Sequence, residues 1–170
     1  KPLPTFVINS GSTKHVTCQG TATGEITLQL NEYLPQLESY YGYNDGSTAN
    51  VRRKDFGTWI MSKLDEGDHI IKITCGNGCS SEQTVDIEGP SSGSALSATA
   101  SASGLVTCNN ANGGEHGDGK ITVSAYNGWE GTYQYSKDNV SFSSASNILT
   151  GFTTGTHTVY VKDAGGCVIP

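Results

Sequence analysis

The strongest constraint on this chain is that it repeats itself. The run from Leu64 through His69, Ile71, Ile73 and Cys75 to Cys79 lies without gaps on another run 88 positions later. That second run passes from Phe152 through His157, Val159, Val161 and Asp163 to Cys167. Upstream, His15-Val16-Thr17-Cys18 falls on Leu105-Val106-Thr107-Cys108, 90 positions on. Gly24-Glu25-Ile26-Thr27 falls on Gly119-Lys120-Ile121-Thr122, 95 positions on. A period of about 90 residues is too long for a solenoid repeat and suits one small β-domain. The chain therefore reads as a first repeat over 1–89, a linker over 90–94 and a second repeat over 95–170.

Each copy is small, so its core alone supplies little margin over the entropy of ordering the chain. Only 35% of the 170 residues are hydrophobic and 22 are Gly, with Ser and Thr also frequent, which suits short strands joined by tight turns. The single Met and the scarcity of helix-forming runs point to an all-β chain. A net charge of −6 leaves no basic patch to neutralise phosphates, which excludes nucleic acid as the expected partner. Arg52-Arg53-Lys54, followed at once by Asp55, reads as a solvated loop. No apolar stretch is long enough to span a bilayer, so no direct membrane insertion is expected. Lys1-Pro2-Leu3-Pro4 is not a signal peptide, and the chain reads as a mature or excised fragment.

The five cysteines extend the symmetry. Cys18 and Cys79 stand 61 apart, and Cys108 and Cys167 stand 59 apart at the matching places. One disulfide per copy, Cys18–Cys79 and Cys108–Cys167, accounts for that spacing. It would stabilise each domain by about 3–4 kcal/mol and place the protein in an oxidising, extracytoplasmic compartment. Cys75 takes the place that Asp163 holds in the second copy and is left free. Two readings compete: a local Cys75–Cys79 bridge, which would strand Cys18, and zinc ligation. Cys75-x3-Cys79 has no second ligand pair at finger spacing.

Alternation places the strands. Thr5–Asn9 reads as the first; Ile26, Leu28 and Leu30 alternate inward in the next. Tyr41 and Tyr43 mark a third, and Thr58–Met61 a fourth. Asp68–Thr74 presents His69, Ile71 and Ile73 on one face, and Gln83–Ile87 closes the copy. The second copy follows with Leu96–Ala102, then Ile121, Val123 and Ala125, then Tyr133 and Tyr135, then His157, Val159 and Val161. It has no counterpart to the closing strand around Val85, so the second domain reads as truncated, with a sheet edge that a longer array would pair.

No constellation for catalysis is present: there is no Gly-x-Ser-x-Gly elbow and no His-Glu-x-x-His pair. His69 and His157 recur at one repeat position and read as framework residues hydrogen-bonded to a loop carbonyl. Asn109, Asn110, Asn112, Glu115 and Asp118 crowd one Gly-rich loop and supply the oxygen donors that calcium takes, with Glu115 and Asp118 as the candidate carboxylates. The matching first-copy loop, Gln19–Gly24, has no carboxylate, and no resident cofactor is expected. Two aromatic sets could stack on sugar rings: Tyr33, Tyr40, Tyr41, Tyr43 and Trp59, and Tyr126, Trp129, Tyr133 and Tyr135. Trp129, Tyr126 and Tyr40 are the candidate ligand contacts, with Trp129 at a turn between Asn127-Gly128 and Glu130-Gly131.

In the second copy, three motifs lead into the closing segment: Val106-Thr107-Cys108, Asp118-Gly119-Lys120-Ile121-Thr122-Val123 and Tyr133-x-Tyr135-Ser136. Leu149-Thr150-Gly151-Phe152 and Gly155–Cys167, which ends Asp163-Ala-Gly-Gly-Cys167, complete the pattern. Together they resemble the SprB-type repeat of giant surface adhesins of gliding Bacteroidetes. The resemblance covers nearly all of 94–167 and, more loosely, 4–89. It implies an immunoglobulin-like β-sandwich for each copy, with no catalytic site; with the strand count above, the expectation is two tandem immunoglobulin-like β-sandwich domains, the second lacking its last strand. It further implies export by the type IX system to the cell surface, and a role in surface attachment and gliding motility. The implied partners are neighbouring repeats of the same long chain and surface polysaccharide. The chain departs from that family in carrying His69 and His157 where a Tyr is usual, Cys75 in place of Asp, and a longer middle segment over 31–57. The alternative function is a carbohydrate-binding module of a secreted protein.

Overall fold

The computed structural model describes residues 6–8, 13–30, 39–43, 50–55, 58–74, 80–107 and 117–170. Among these the chain is all-β, with every strand pair antiparallel. It divides into two compact units, Lys1–Gly89 and Pro90–Pro170.

The first unit holds β1 (Phe6–Ile8), β2 (Gly24–Leu30), β3 (Ser39–Tyr43), β4 (Asn50–Asp55), β5 (Thr58–Leu64), β6 (Gly67–Thr74) and β7 (Ser80–Ile87). One sheet runs β1-β2-β5-β4 and the other β3-β6-β7. Period-two alternation sends Ile26 and Leu28 of β2 and His69 and Ile71 of β6 inward, while Ile70 is exposed. The core draws on both sheets: Val16, Ile26, Leu28, Met61, Leu64, Ile71 and Ile87 form one buried cluster. The Arg52-Arg53-Lys54 segment is not a loop. It forms β4, which pairs with β5 in the register Arg52↔Ile60 and Arg53↔Trp59. Among the described residues the sheet order leaves β4 at an edge, where a run of cationic residues discourages pairing with other chains.

The second unit holds β8 (Ser97–Gly104), β9 (Gly119–Tyr126), β10 (Gln134–Ser136), β11 (Ile148–Phe152), β12 (Tyr160–Lys162) and β13 (Val168–Ile169). Its sheets run β11-β9-β8 and β10-β12-β13. Tyr135 lies in a strand as expected; Tyr133 stands just before it. A short strand follows β12: β13 pairs with it as Lys162↔Val168 and Val161↔Ile169. The segment 90–94 is tied to this unit. Ser92 N–H donates to Gly128 O, Gly128 N–H to Ser94 O, and Glu130 N–H to Ser91 Oγ.

The repeat is reproduced in the hydrogen-bond register. In β6·β7, Ile73 pairs with Ser81 and Thr74 with Ser80; adding 88 to each number yields the two pairs of β12·β13. Between β2 and β5 the pairing passes from Gly24↔Leu64 to Glu25↔Ser62, which leaves Lys63 as a bulge. Between β9 and β11 it passes from Gly119↔Phe152 to Lys120↔Thr150, which leaves Gly151 as a bulge. Both bulged residues have positive φ, 62° at Lys63 and 87° at Gly151. A left-handed residue at the first position of such a bulge bends the strand and raises its twist.

Candidate functional site

Three features of chemical interest were read from the sequence: the cysteines, the paired histidines and the aromatic turn with its neighbouring loop. Cys18 and Cys167 are each disulfide-bonded. Their expected partners, Cys79 and Cys108, lie outside the described residues, as does Cys75.

The two histidines make the same bond. His69 Nε2 lies 2.9 Å from Asp65 O, and His157 Nε2 lies 2.9 Å from Thr153 O. A carbonyl only accepts, so in both rings Nε2 carries the proton. The surroundings differ. His69 is 2% exposed, on β6 beside β7, whose Val85 is its strand partner. His157 is exposed, and its ring packs against Phe152 with centroids 4.9 Å apart.

The aromatic turn is built around a carboxylate. After β9 the chain reverses at Asn127 and Gly128, with φ of 64° and 72°. Two successive positive φ values define a type I′ geometry, which Asn-Gly adopts at little cost. The reversal aims Trp129 N–H at Asp163 Oδ2, 2.9 Å away. Asp163 Oδ1 accepts Cys167 N–H at 2.8 Å, and Asp163 N–H donates to Cys167 O. This buried carboxylate, 3% exposed, thus joins the Trp129 turn to the disulfide-bonded Cys167. A Cβ on Gly128 would run into Asp163 Oδ2, and one on Gly165 would overlap the Trp129 indole. The indole therefore packs on Gly165 and is half-buried rather than displayed at the tip of the turn. Tyr133 Oη donates to Asn127 O and braces the same loop. Burial and the neighbouring Tyr133 push the Tyr135 hydroxyl up from its ordinary pKa.

Of the candidate ligand contacts, Tyr126 is 45% exposed, and Trp129 sits three residues further along the turn. Tyr40 belongs to β3, and its side chain lies outside the description. Of the calcium candidates, Glu115 lies outside the described residues, as do Asn109, Asn110 and Asn112. Asp118 spends both carboxylate oxygens on Thr107, accepting from its N–H and its hydroxyl. Among the described residues there is no group of three or more His, Cys, Asp or Glu side chains able to hold a metal ion. No helix there is long and apolar enough to cross a membrane.

Asp138 organises a second turn. Its Oδ1 accepts from Ser141 N–H at 2.7 Å, Val140 N–H at 2.9 Å and Ser136 Oγ at 2.8 Å. These bonds, the two backbone donors first, hold the carboxyl far below the ordinary carboxylate range.

Sequence reasoning placed Asp163 in the repeat but did not find its role. The Asp-x-x-Gly-Cys spacing carries that signal, because a carboxylate four residues before Cys167 can cap its own turn. A cleft beside Phe152 and His157 was also missed. No family model, curated protein or solved structure matches this chain.

Proposed function

We propose that the chain consists of two immunoglobulin-like β-sandwich modules from an extracellular filamentous adhesin of the SprB-repeat type. Each module serves as a stiff, non-catalytic element in a series supporting surface attachment and gliding motility. The reading is supported above all by the repeat in backbone register. Strand pairs, bulges and the histidine–carbonyl bonds recur 88 residues apart. Duplication that preserves structure while varying exposed side chains suits a mechanical spacer, whose contacts are weak singly and accumulate by avidity. The two disulfide-bonded cysteines, Cys18 and Cys167, suit an oxidising exterior. Trp129 packed on Gly165 favours a framework role for that ring over a flat sugar platform.

The test is surface labelling of intact source cells with antibody raised against this chain, together with adhesion after antibody treatment. Labelling and reduced adhesion are expected. Label that enters only permeabilised cells would overturn the reading. Binding of the purified chain to a polysaccharide, lost in Tyr126→Ala, would replace it with a carbohydrate-binding module.

A further inference from the structure

Asn139-Val140-Ser141, in the turn that Asp138 organises, is the one Asn-x-Ser/Thr triplet in the 170 residues, and its middle residue is not proline. Transfer of sugar to asparagine needs that pattern: the carboxamide is the acceptor, and the hydroxyl two residues later is the group by which the triplet is recognised.

The fold presents the triplet to solvent. All three residues are exposed, Val140 to 81%. Asp138 closes the turn by accepting from the N–H groups of Val140 and Ser141, and the Ser141 hydroxyl bonds the same carboxylate. Asn139 holds a φ of 60°, a left-handed conformation that Asn tolerates better than most residues. Its side-chain amide makes no hydrogen bond to any described residue. The bonds that fix the turn therefore leave the Asn139 side chain out, and a sugar attached there disrupts none of them.

Two other asparagines of this unit show the contrast. Asn147 spends its side chain inside the fold, where Nδ2 donates to Val123 O at 3.0 Å. Asn127 is exposed and left-handed like Asn139, but Trp129 stands two residues later, where the triplet needs a hydroxyl. Turn geometry explains a left-handed residue at 139, which Gly would serve as well. It does not explain an exposed carboxamide followed at the right distance by a hydroxyl.

We propose that Asn139 is an N-glycosylation site, its carboxamide accepting sugar from a diphosphate-activated donor. Asn139 Nδ2 forms a bond to the anomeric carbon as the bond from that carbon to the diphosphate oxygen breaks. The diphosphate leaves with the electron pair, and the amide proton passes to a base of the transferase. A nucleoside-diphosphate sugar and a polyprenyl-diphosphate oligosaccharide both deliver this linkage, the first one sugar at a time and the second as one block. The proposal stands on the triplet and its turn, and is independent of any adhesive role.

The test is mass spectrometry of the protein isolated from its source cells, with the peptide containing Asn139 sequenced by a fragmentation that keeps sugars attached. A mass excess carried by that peptide, on Asn139 itself, is expected. A single sugar or a ladder of sugars assigns the nucleoside-diphosphate donor, and one uniform block assigns the polyprenyl-diphosphate donor. In the same cells Asn139→Asp, which keeps a residue tolerant of the left-handed conformation, should lose the excess. Ser141→Ala should lose it although Asn139 is present, and Ser141→Thr should keep it. An unmodified Asn139 in the protein from source cells overturns the proposal. Sugar found only at another residue, or retained in Ser141→Ala, overturns it as well.

Discussion

Trp129 and Asp163, 34 residues apart in sequence, are joined by a backbone N–H to carboxylate bond of 2.9 Å. The same buried carboxylate accepts Cys167 N–H, so removing it deletes the acceptor of both bonds. Asp163→Ala is expected to destabilise the second unit by about 2–4 kcal/mol, given charge-assisted bonds and the cost of orphaned N–H groups. The chain has two tryptophans, one per unit, so fluorescence-monitored urea unfolding in a Trp59→Phe background reads the second unit alone. An unchanged midpoint would show that the Asp163 bonds are replaceable by water.

The bulges predict opposite effects at repeat-equivalent positions. Lys63 holds a φ of 62° that costs a non-glycine residue about 1 kcal/mol, whereas Gly151 holds its φ of 87° freely. Lys63→Gly should leave the first unit's stability unchanged or raise it by up to about 1 kcal/mol, as relief of strain offsets the freer unfolded chain. Gly151→Ala should destabilise the second unit by about 1 kcal/mol. Paired unfolding curves of the two variants check the signs.

The histidines should differ despite an identical bond. His69→Ala removes a buried ring and its hydrogen bond, and is expected to cost the first unit about 2–4 kcal/mol. His157→Ala removes an exposed ring and should cost less than about 1 kcal/mol. Equal losses would show that the bond, rather than burial of the ring, determines the contribution.

The Asp138 turn should be acid-sensitive. Its carboxyl is lowered from an ordinary value of 3.8, so its stabilisation is fully present above that pH. It declines as pH falls below about 4 and disappears below the depressed folded-state value. Amide shifts of Val140 and Ser141 should stay constant down to about pH 4 and move only under stronger acid. Movement centred at 3.8 itself would show that the N–H bonds do not hold in solution.

Disulfide mapping by non-reducing mass spectrometry is expected to recover Cys18–Cys79 and Cys108–Cys167, with Cys75 as the single free thiol. Reduction should lower the stability of both units by about 3–4 kcal/mol each. Recovery of a Cys75–Cys79 bridge would remove the symmetry on which the pairing rests.

Strand positions set by alternation were legible from sequence: Ile26 and Leu28, and His69 and Ile71, point inward as their period-two spacing requires. The Arg52-Arg53-Lys54 strand was not legible, because charge says solvent and says nothing of pairing. Its hydrogen bonds come from β5, and its edge position makes the charges tolerable. The Trp129 turn was half legible. Asn127-Gly128 announces the reversal, but the contact of the indole with Gly165 depends on a segment more than 30 residues away.

Sequence alone determined the duplication, the all-β character and the equivalence of His69 with His157, because local spacing governs alternation, turns and the bond from a histidine to the carbonyl four residues earlier. Tertiary structure alone decided that one histidine is buried and the other is not. Burial depends on neighbours distant in sequence, and His69 lies on a strand paired along its length with β7. His157 instead packs its ring against Phe152, and 155–159 pair with no strand among the described residues.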